Sequence, residues 1–344
     1  MKLKTGVISK TFDNKLTRPF YLLFALIVLS SHDLYIKMET YFLKPNQEAS
    51  FSLYNGTFEN SENTISRDRL LDASIVAHGK RVAISASQWV DQDSTVTKAI
   101  FKPTEEGTYV AGVSTKERVF QQTAEEFNSY LKHDGVLDML NERKYSNTLD
   151  EDVAESYQKH VKAIYQVGDQ KSEDWKTILG YPIEFVPMDN PYAKHSGESL
   201  DVQLLLDGQP LANQIVYADH VSGHHTHDGH THSHDHGSDH EHTHTNGKQL
   251  RTNDQGVITV GLPEDGIYFL RTIHMKKVEG NKDYTHQSKW STLTFEVTHE
   301  HGEHTHTHDH DHNHDHEEGI PTSLFVIVSL FIIATLFMYF RKNN

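Results

Sequence analysis

The chain has no cysteine among its 344 residues. That absence excludes a disulfide scaffold and every thiolate metal site. A basic excess is also missing: 32 Lys and Arg face 48 Asp and Glu, for a formal net charge of −16. A nucleic-acid partner needs a basic face, so none is expected; an acidic surface instead favours cations. Hydrophobic residues make up only 36% of the chain, because two polar tracts dilute the rest. There is no nucleophile elbow, Walker loop or His-Glu-x-x-His motif, and no catalytic carboxylate pair stands out. The chain is therefore not read as an enzyme.

Long apolar runs are confined to the two ends. Lys2, Lys4, Lys10, Lys15 and Arg18 precede a short apolar run at 20–29, followed by Ser30, Ser31 and His32. This is the layout of a signal peptide covering 1–31. At the other end, residues 320–340 are nearly uninterrupted apolar sequence, long enough to cross a bilayer as a helix. Arg341 and Lys342 follow at once and place the tail 341–344 in the cytoplasm. The expected location is the cell inner membrane, single-pass, with the folded part in the periplasm.

Between the ends the pattern is mainly β. Short β-rich segments separated by turn signals such as Asn55-Gly56 and His78-Gly79 fill 32–120. Residues 121–180 suggest a helical connector. Thr123 precedes Ala124-Glu125-Glu126 as a helix start, Gly135 breaks that helix, and Val136, Leu137 and Leu140 begin a second. A third is expected from Asp152 to Tyr165, with Val153, Tyr157, Val161, Ile164 and Tyr165 on one face. Strand signals return over 181–298. The expected fold class is two Ig-like or transthyretin-like β-sandwich regions with a helical segment between them, plus one C-terminal transmembrane helix.

Nineteen of the 27 histidines lie in two tracts. The first, within a loop at 221–248, holds His224, His225, His227, His230, His232, His234, His236, His240, His242 and His244. The second, in a stalk at 299–319, holds His299, His301, His304, His306, His308, His310, His312, His314 and His316. The dominant pattern is His-x-His, interspersed with Asp, Thr and Gly. In an extended chain such neighbours stand about 7 Å apart, so a bend is needed before two imidazoles share one ion. Many overlapping sites of modest affinity follow. Imidazole suits nickel, cobalt and zinc, with copper also accommodated. Binding needs neutral rings, so it weakens as pH falls through about 6.5.

An ordered site is expected at the mature N-terminus. Cleavage after Ser31 leaves the amine and ring of His32 on one ion, beside Asp33. Cleavage after Leu29 leaves Ser30-Ser31-His32, a square-planar set suited to copper(II) or nickel(II). Among the lone histidines, His220 and His274 are favoured as further ligands over His195 and His286. His78 has the setting of a turn residue, and His133 and His160 are expected to face solvent from helices.

Several segments resemble one family. "HDLYIKMETYFLKPNQEASFSLYNGTFEN", "EFNSYLKHDGVLDML", "ESYQKHVKAIYQVG", "LGYPIEFVPMDNPYAKHSGESLDVQLLLDGQPLANQIVYA", "LRTNDQGVITVGLPEDGIYFLRTIHM" and "SKWSTLTFEV" are similar to bacterial exported nickel-uptake or cobalt-transport periplasmic components (NikM-like, formerly a domain of unknown function). The likeness covers about residues 32–297. It implies a periplasmic β-rich protein linked to nickel or cobalt uptake. It also matches His32 and Asp33 to the family's N-terminal His-Asp, and His274 to the histidine after its Gly-x-Tyr strand. The expectation is a membrane-anchored protein that captures or buffers divalent transition metal for a membrane transporter. The alternatives are an Ig-like carbohydrate- or protein-binding adhesion module with a His-rich linker, and an enzyme using a metal at His32.

Overall fold

Strand-forming sequence begins immediately after His32. In the computed structural model the described residues are 32–222 and 247–299. The first half contains β1 (Asp33–Lys37), β2 (Phe42–Leu43), β3 (Ala49–Gly56), β4 (Leu70–Ala77), β5 (Lys80–Ala83), β6 (Trp89–Gln92), β7 (Val96–Phe101), β8 (Gly107–Thr115) and β9 (Arg118–Gln122). Two helices follow, α1 (Ala124–His133) and α2 (Leu137–Tyr145). Then come β10 (Val153–Val167), β11 (Ile183–Pro187), β12 (Ser199–Leu206), β13 (Gln209–Pro210), β14 (Ile215–Ser222), β15 (Lys248–Arg251), β16 (Val257–Gly261), β17 (Gly266–Lys277) and β18 (His286–Val297).

The strands form three sheets. One is β1-β3-β7-β6, and another is β11-β12-β13 with β16 on β12. The largest runs β15-β14-β17-β18-β10-β8-β4-β5, with β2 and β9 also paired to β10. Strands from both ends of the sequence thus share one sheet. The main hydrophobic core runs from Leu34 to Val297, and the described residues fall within one compact unit. The two separate sandwiches expected over 32–120 and 181–298 are merged, because the long strand between them pairs with both.

That strand, β10, corrects the third expected helix. Its apolar residues Val153, Tyr157, Val161 and Ile164 match helical spacing, yet the segment is extended. It is parallel to β18 from Glu155↔His286 to Ala163↔Thr294, and antiparallel to β9 and β8. Both faces are covered, so Glu155, Lys159, His160, Lys162 and Gln166 are buried along with the apolar residues. A strand covered on both sides loses its period-two pattern, and helical spacing was left as the apparent signal.

The first two helices lie where expected. Thr123 and Glu126 form a capping box, each side chain meeting the other's main-chain N–H. Gly135 has φ 72° and ends the turn. A Cβ there would lie 2.2 Å from the Tyr217 hydroxyl. Phe127, Tyr130, Leu131, Val136 and Met139 pack on Val153, Ile273 and Trp290 as a second, smaller core.

Two polar devices hold the layers together. β1 is an edge strand, and its Leu34 and Ile36 carbonyls accept from Thr292 (2.9 Å) and Thr294 (2.7 Å) of β18. Buried backbone acceptors require such partners. On the other side of the large sheet, Lys162 pairs with Glu184 of β11 at 3.0 Å, both fully buried. Lys162 also donates to the Thr177 and Phe185 carbonyls, and Glu184 accepts from the N–H groups of Leu179, Gly180 and Tyr181.

The expected signal peptide at 1–31 and the transmembrane run at 320–340 lie outside the described residues. Among the described residues no helix is long and apolar enough to cross a membrane. The flanks of the first histidine tract are adjacent antiparallel strands, with Ala218↔Lys248 the nearest pair. The tract is therefore an insertion between the two strands of a hairpin.

Candidate functional site

His32 sits at the start of β1, and a loop folds back over it. β1 runs antiparallel to β3, with Asp33 opposite Gly56. Gly56 then bridges Ser61. A Cβ at Gly56 would lie 2.4 Å from the Asn60 carbonyl oxygen, so the tight return requires glycine. The return carries Glu62 to the His32 ring, Oε2 to Nε2 at 2.5 Å. The Glu62 N–H donates to the Asn55 carbonyl at 3.0 Å, which fixes the backbone beneath it.

Lys159 of β10 lies behind this pair. Its ammonium donates to the His32 carbonyl and lies 3.4 Å from Asn55 Oδ1. It stands over the Trp290 ring at 5.1 Å. Burial pushes it down to about 8, partly opposed by Asp33 and other acids at longer range.

Asp33 points the other way, as successive residues on a strand must. It is buried and its Oδ2 meets Arg271 Nε at 3.3 Å and accepts from the Tyr35 hydroxyl at 3.2 Å. Its carboxylate is thus committed to a buried cation rather than turned toward the His32 ring. Arg271 also donates to the Asp134 carbonyl.

A second arrangement lies at the end of the large sheet. His220, near the end of β14, stacks on Tyr268 at 5.0 Å and meets Glu264 at 2.6 Å. Ser222 donates to the same Glu264 oxygen at 2.7 Å. His299, just past β18, pairs with Asp265, whose other oxygen accepts from Ser196 at 2.5 Å. Burial pushes the Asp265 carboxyl upward, but the Ser196 and His299 bonds outweigh it and hold it low. Ser222, Gly266 and Val297 are in register across β14, β17 and β18. Residues 222 and 299 therefore leave from one end of the sheet, beside consecutive carboxylates.

The remaining histidines have other partners. His274 shares a hydrogen bond with Gln214 at 2.9 Å, and burial lowers its basicity. His160 is fully buried instead of facing solvent; it meets Ser114 at 2.9 Å and burial pushes it down to about 3. His286 packs on Phe127 at 5.1 Å and burial pushes it down to about 4. His133 meets Asp134 at 3.0 Å on α1. His78 occupies a turn with φ 51°. The main chain of His195 bridges Thr298.

Among the described residues no three His, Asp or Glu side chains gather as a metal shell. His32 and His220 each come with one carboxylate, as does His299. The other tract histidines, 224–244 and 301–316, lie outside the described residues. Glu62, Lys159, Glu264 and Asp265 escaped sequence reasoning. Glu62 is 30 residues from His32 and Glu264 is 44 from His220, so no local spacing marked either.

Among solved structures, the chain aligns loosely with the D0-D1 domain of intimin, at 9% identity over 76% of this chain and 97% of that one, TM-score 0.17. It aligns likewise with the Ig1-2 module of the Drosophila receptor protein tyrosine phosphatase DLAR, at 10% identity over 76% and 99%, TM-score 0.17. The Escherichia coli adhesin FdeC matches at 12% identity over 79% and 65%, TM-score 0.17. Likeness at that level carries no functional argument. No curated protein matches the chain. The profile of one family matches residues 29–276, most of the sequence, and the chain accordingly belongs to the family described as a domain of unknown function, DUF4198.

Proposed function

We propose that this chain is an exported, membrane-tethered protein that captures or buffers divalent transition metal, nickel, cobalt or zinc, for a membrane transporter. The observation that carries the reading is where the two histidine tracts join the described fold. Two tracts separated in sequence by the whole of β15–β18 have their roots at one end of one sheet, beside Glu264 and Asp265. Tethering many imidazoles to one membrane-anchored chain raises their effective concentration near a transporter without new contacts. The acids there, and the net charge of −16, favour cation capture. The resemblance to nickel- and cobalt-uptake components supports nickel or cobalt over zinc. His32, with Glu62 against its ring, supplies a second element. A neutral imidazole and a carboxylate are a suitable pair of ligands, and an α-amine released by cleavage after Ser31 would add a third.

The test is calorimetric titration of the full chain with nickel and zinc at neutral pH. Several equivalents are expected, with most lost when the tract histidines are replaced by asparagine, and one tighter equivalent lost with His32→Ala. Unchanged stoichiometry after tract replacement would sink the capture reading.

A further inference from the structure

We infer that Lys159 is the positioning residue of the His32–Glu62 pair, holding the imidazole and the carboxylate in register from inside the fold. As far as metal is concerned, this rests on the reading of His32 as a ligand; the positioning itself does not.

An ammonium buried in protein is costly unless a carboxylate and further hydrogen bonds compensate it. Lys159 is 8% exposed. Among the described residues no carboxylate lies within ion-pair distance of it. Its two hydrogen-bond acceptors are neutral: the His32 carbonyl and the Asn55 side-chain oxygen. The rings of Tyr157 and Trp290 lie against it at 5.8 and 5.1 Å, and Asp33, Asp134 and Glu155 act on it only from beyond ion-pair distance. A methionine would fill such a place at less cost, so the fold alone gives little reason for the charge.

The two acceptors show what the ammonium organises. One belongs to His32 itself. The other belongs to Asn55, whose main-chain carbonyl holds the Glu62 N–H. Glu62 then closes on the His32 ring. The contacts form a ring: from Lys159 to the His32 carbonyl, through the His32 ring to Glu62, down to Asn55, and back to Lys159. Each partner of the exposed pair is therefore fixed through main chain that Lys159 helps to hold. His32 lies just outside β1, beyond the last residue that the β1–β3 ladder holds. Side chains that orient a metal ligand commonly act this way, from the layer beneath it.

The test compares metal-free full-length protein with Lys159→Met, Glu62→Gln and Lys159→Arg. Diethylpyrocarbonate labelling of each histidine is read by peptide mass spectrometry. Lys159→Met is expected to raise His32 labelling severalfold, as Glu62→Gln does, while the buried His160 and His286 stay protected. Lys159→Arg, which keeps the charge and donors, is expected to restore part of the protection. His32 labelling unchanged in Lys159→Met overturns the inference. So does a parallel rise at His160 and His286, which would mark general loosening. In protein whose tract histidines are replaced by asparagine, Lys159→Met should also weaken the His32-dependent nickel equivalent by about tenfold and have no further effect once His32→Ala is present. Equal weakening in both backgrounds overturns the inference. Changed labelling without any His32-dependent nickel binding keeps the positioning role and removes His32 from the metal reading.

Discussion

β10 buries two lysines three residues apart, and their circumstances are opposite. Lys162 faces Glu184 at 3.0 Å and two carbonyls besides. Lys159 faces two neutral oxygens and two aromatic rings. The first is a complete ion pair that joins two sheets, so its charge is accounted for by the fold. The second lacks a contacting carboxylate and ends at the His32–Glu62 pair. Similar burial on one strand therefore carries two meanings, and the partners decide which applies.

The comparison is tested most severely at Glu184. Glu184→Leu strands the Lys162 ammonium and three backbone N–H donors in the interior, with an expected loss of about 3–5 kcal/mol. Urea denaturation of the variant measures it. Lys162→Met should cost less, because Glu184 keeps its three N–H donors. A loss below about 1 kcal/mol for Glu184→Leu would remove the structural meaning from the pair.

Glu155 lies on the same strand as Lys159 and sharpens the contrast. Burial pushes its carboxyl up from 4.5 to about 7, although Ser288, Tyr130 and Gln122 all donate to it and pull the other way. The acid is therefore substantially protonated near neutrality and makes a poor counter-ion for Lys159. Between those two values the folded chain keeps a proton that the unfolded chain releases. Stability from this group is therefore complete below about pH 4.5 and falls as pH rises to about 7, by about 3 kcal/mol at 1.36 kcal/mol per pH unit. His160 and His286 act in the opposite sense. They stay neutral in the fold down to about 3 and about 4, so their contribution is lost as pH falls below 6.5. Subtracting the curve of Glu155→Gln from that of the wild type isolates the carboxyl. A difference that does not vary between pH 4 and pH 8 would show that Glu155 titrates normally.

Much of this was legible in the sequence. The β character, the helix start at Thr123, the break at Gly135 and the strands flanking the first histidine tract all follow from local pattern. β10 was not legible, because burial on both faces erased the alternation that marks a strand. The spacing of Val153, Tyr157, Val161 and Ile164 pointed to one face of a helix instead. His32 stood out by its place after an apolar run. Glu62 and Lys159 did not, since loop return and the packing of one sheet on another bring them to His32 from 30 and 127 residues away. Long-range contact of this kind leaves no trace in spacing.

The smallest expected effect on stability decides most about Lys159. Replacing it with methionine loses two hydrogen bonds to neutral oxygens and the ring contacts, but it also relieves the desolvation of an ammonium. These terms oppose each other, so the net change in unfolding free energy is expected to be about 1 kcal/mol or less. Lys162→Met, which leaves a buried carboxylate behind, should exceed it clearly under the same conditions. Both variants remove one amine from the same strand, so the ratio of the two losses is insensitive to β propensity. A Lys159→Met loss equal to that of Lys162→Met would mean that both lysines serve the fold alike, and the difference between them would then lie in geometry without consequence.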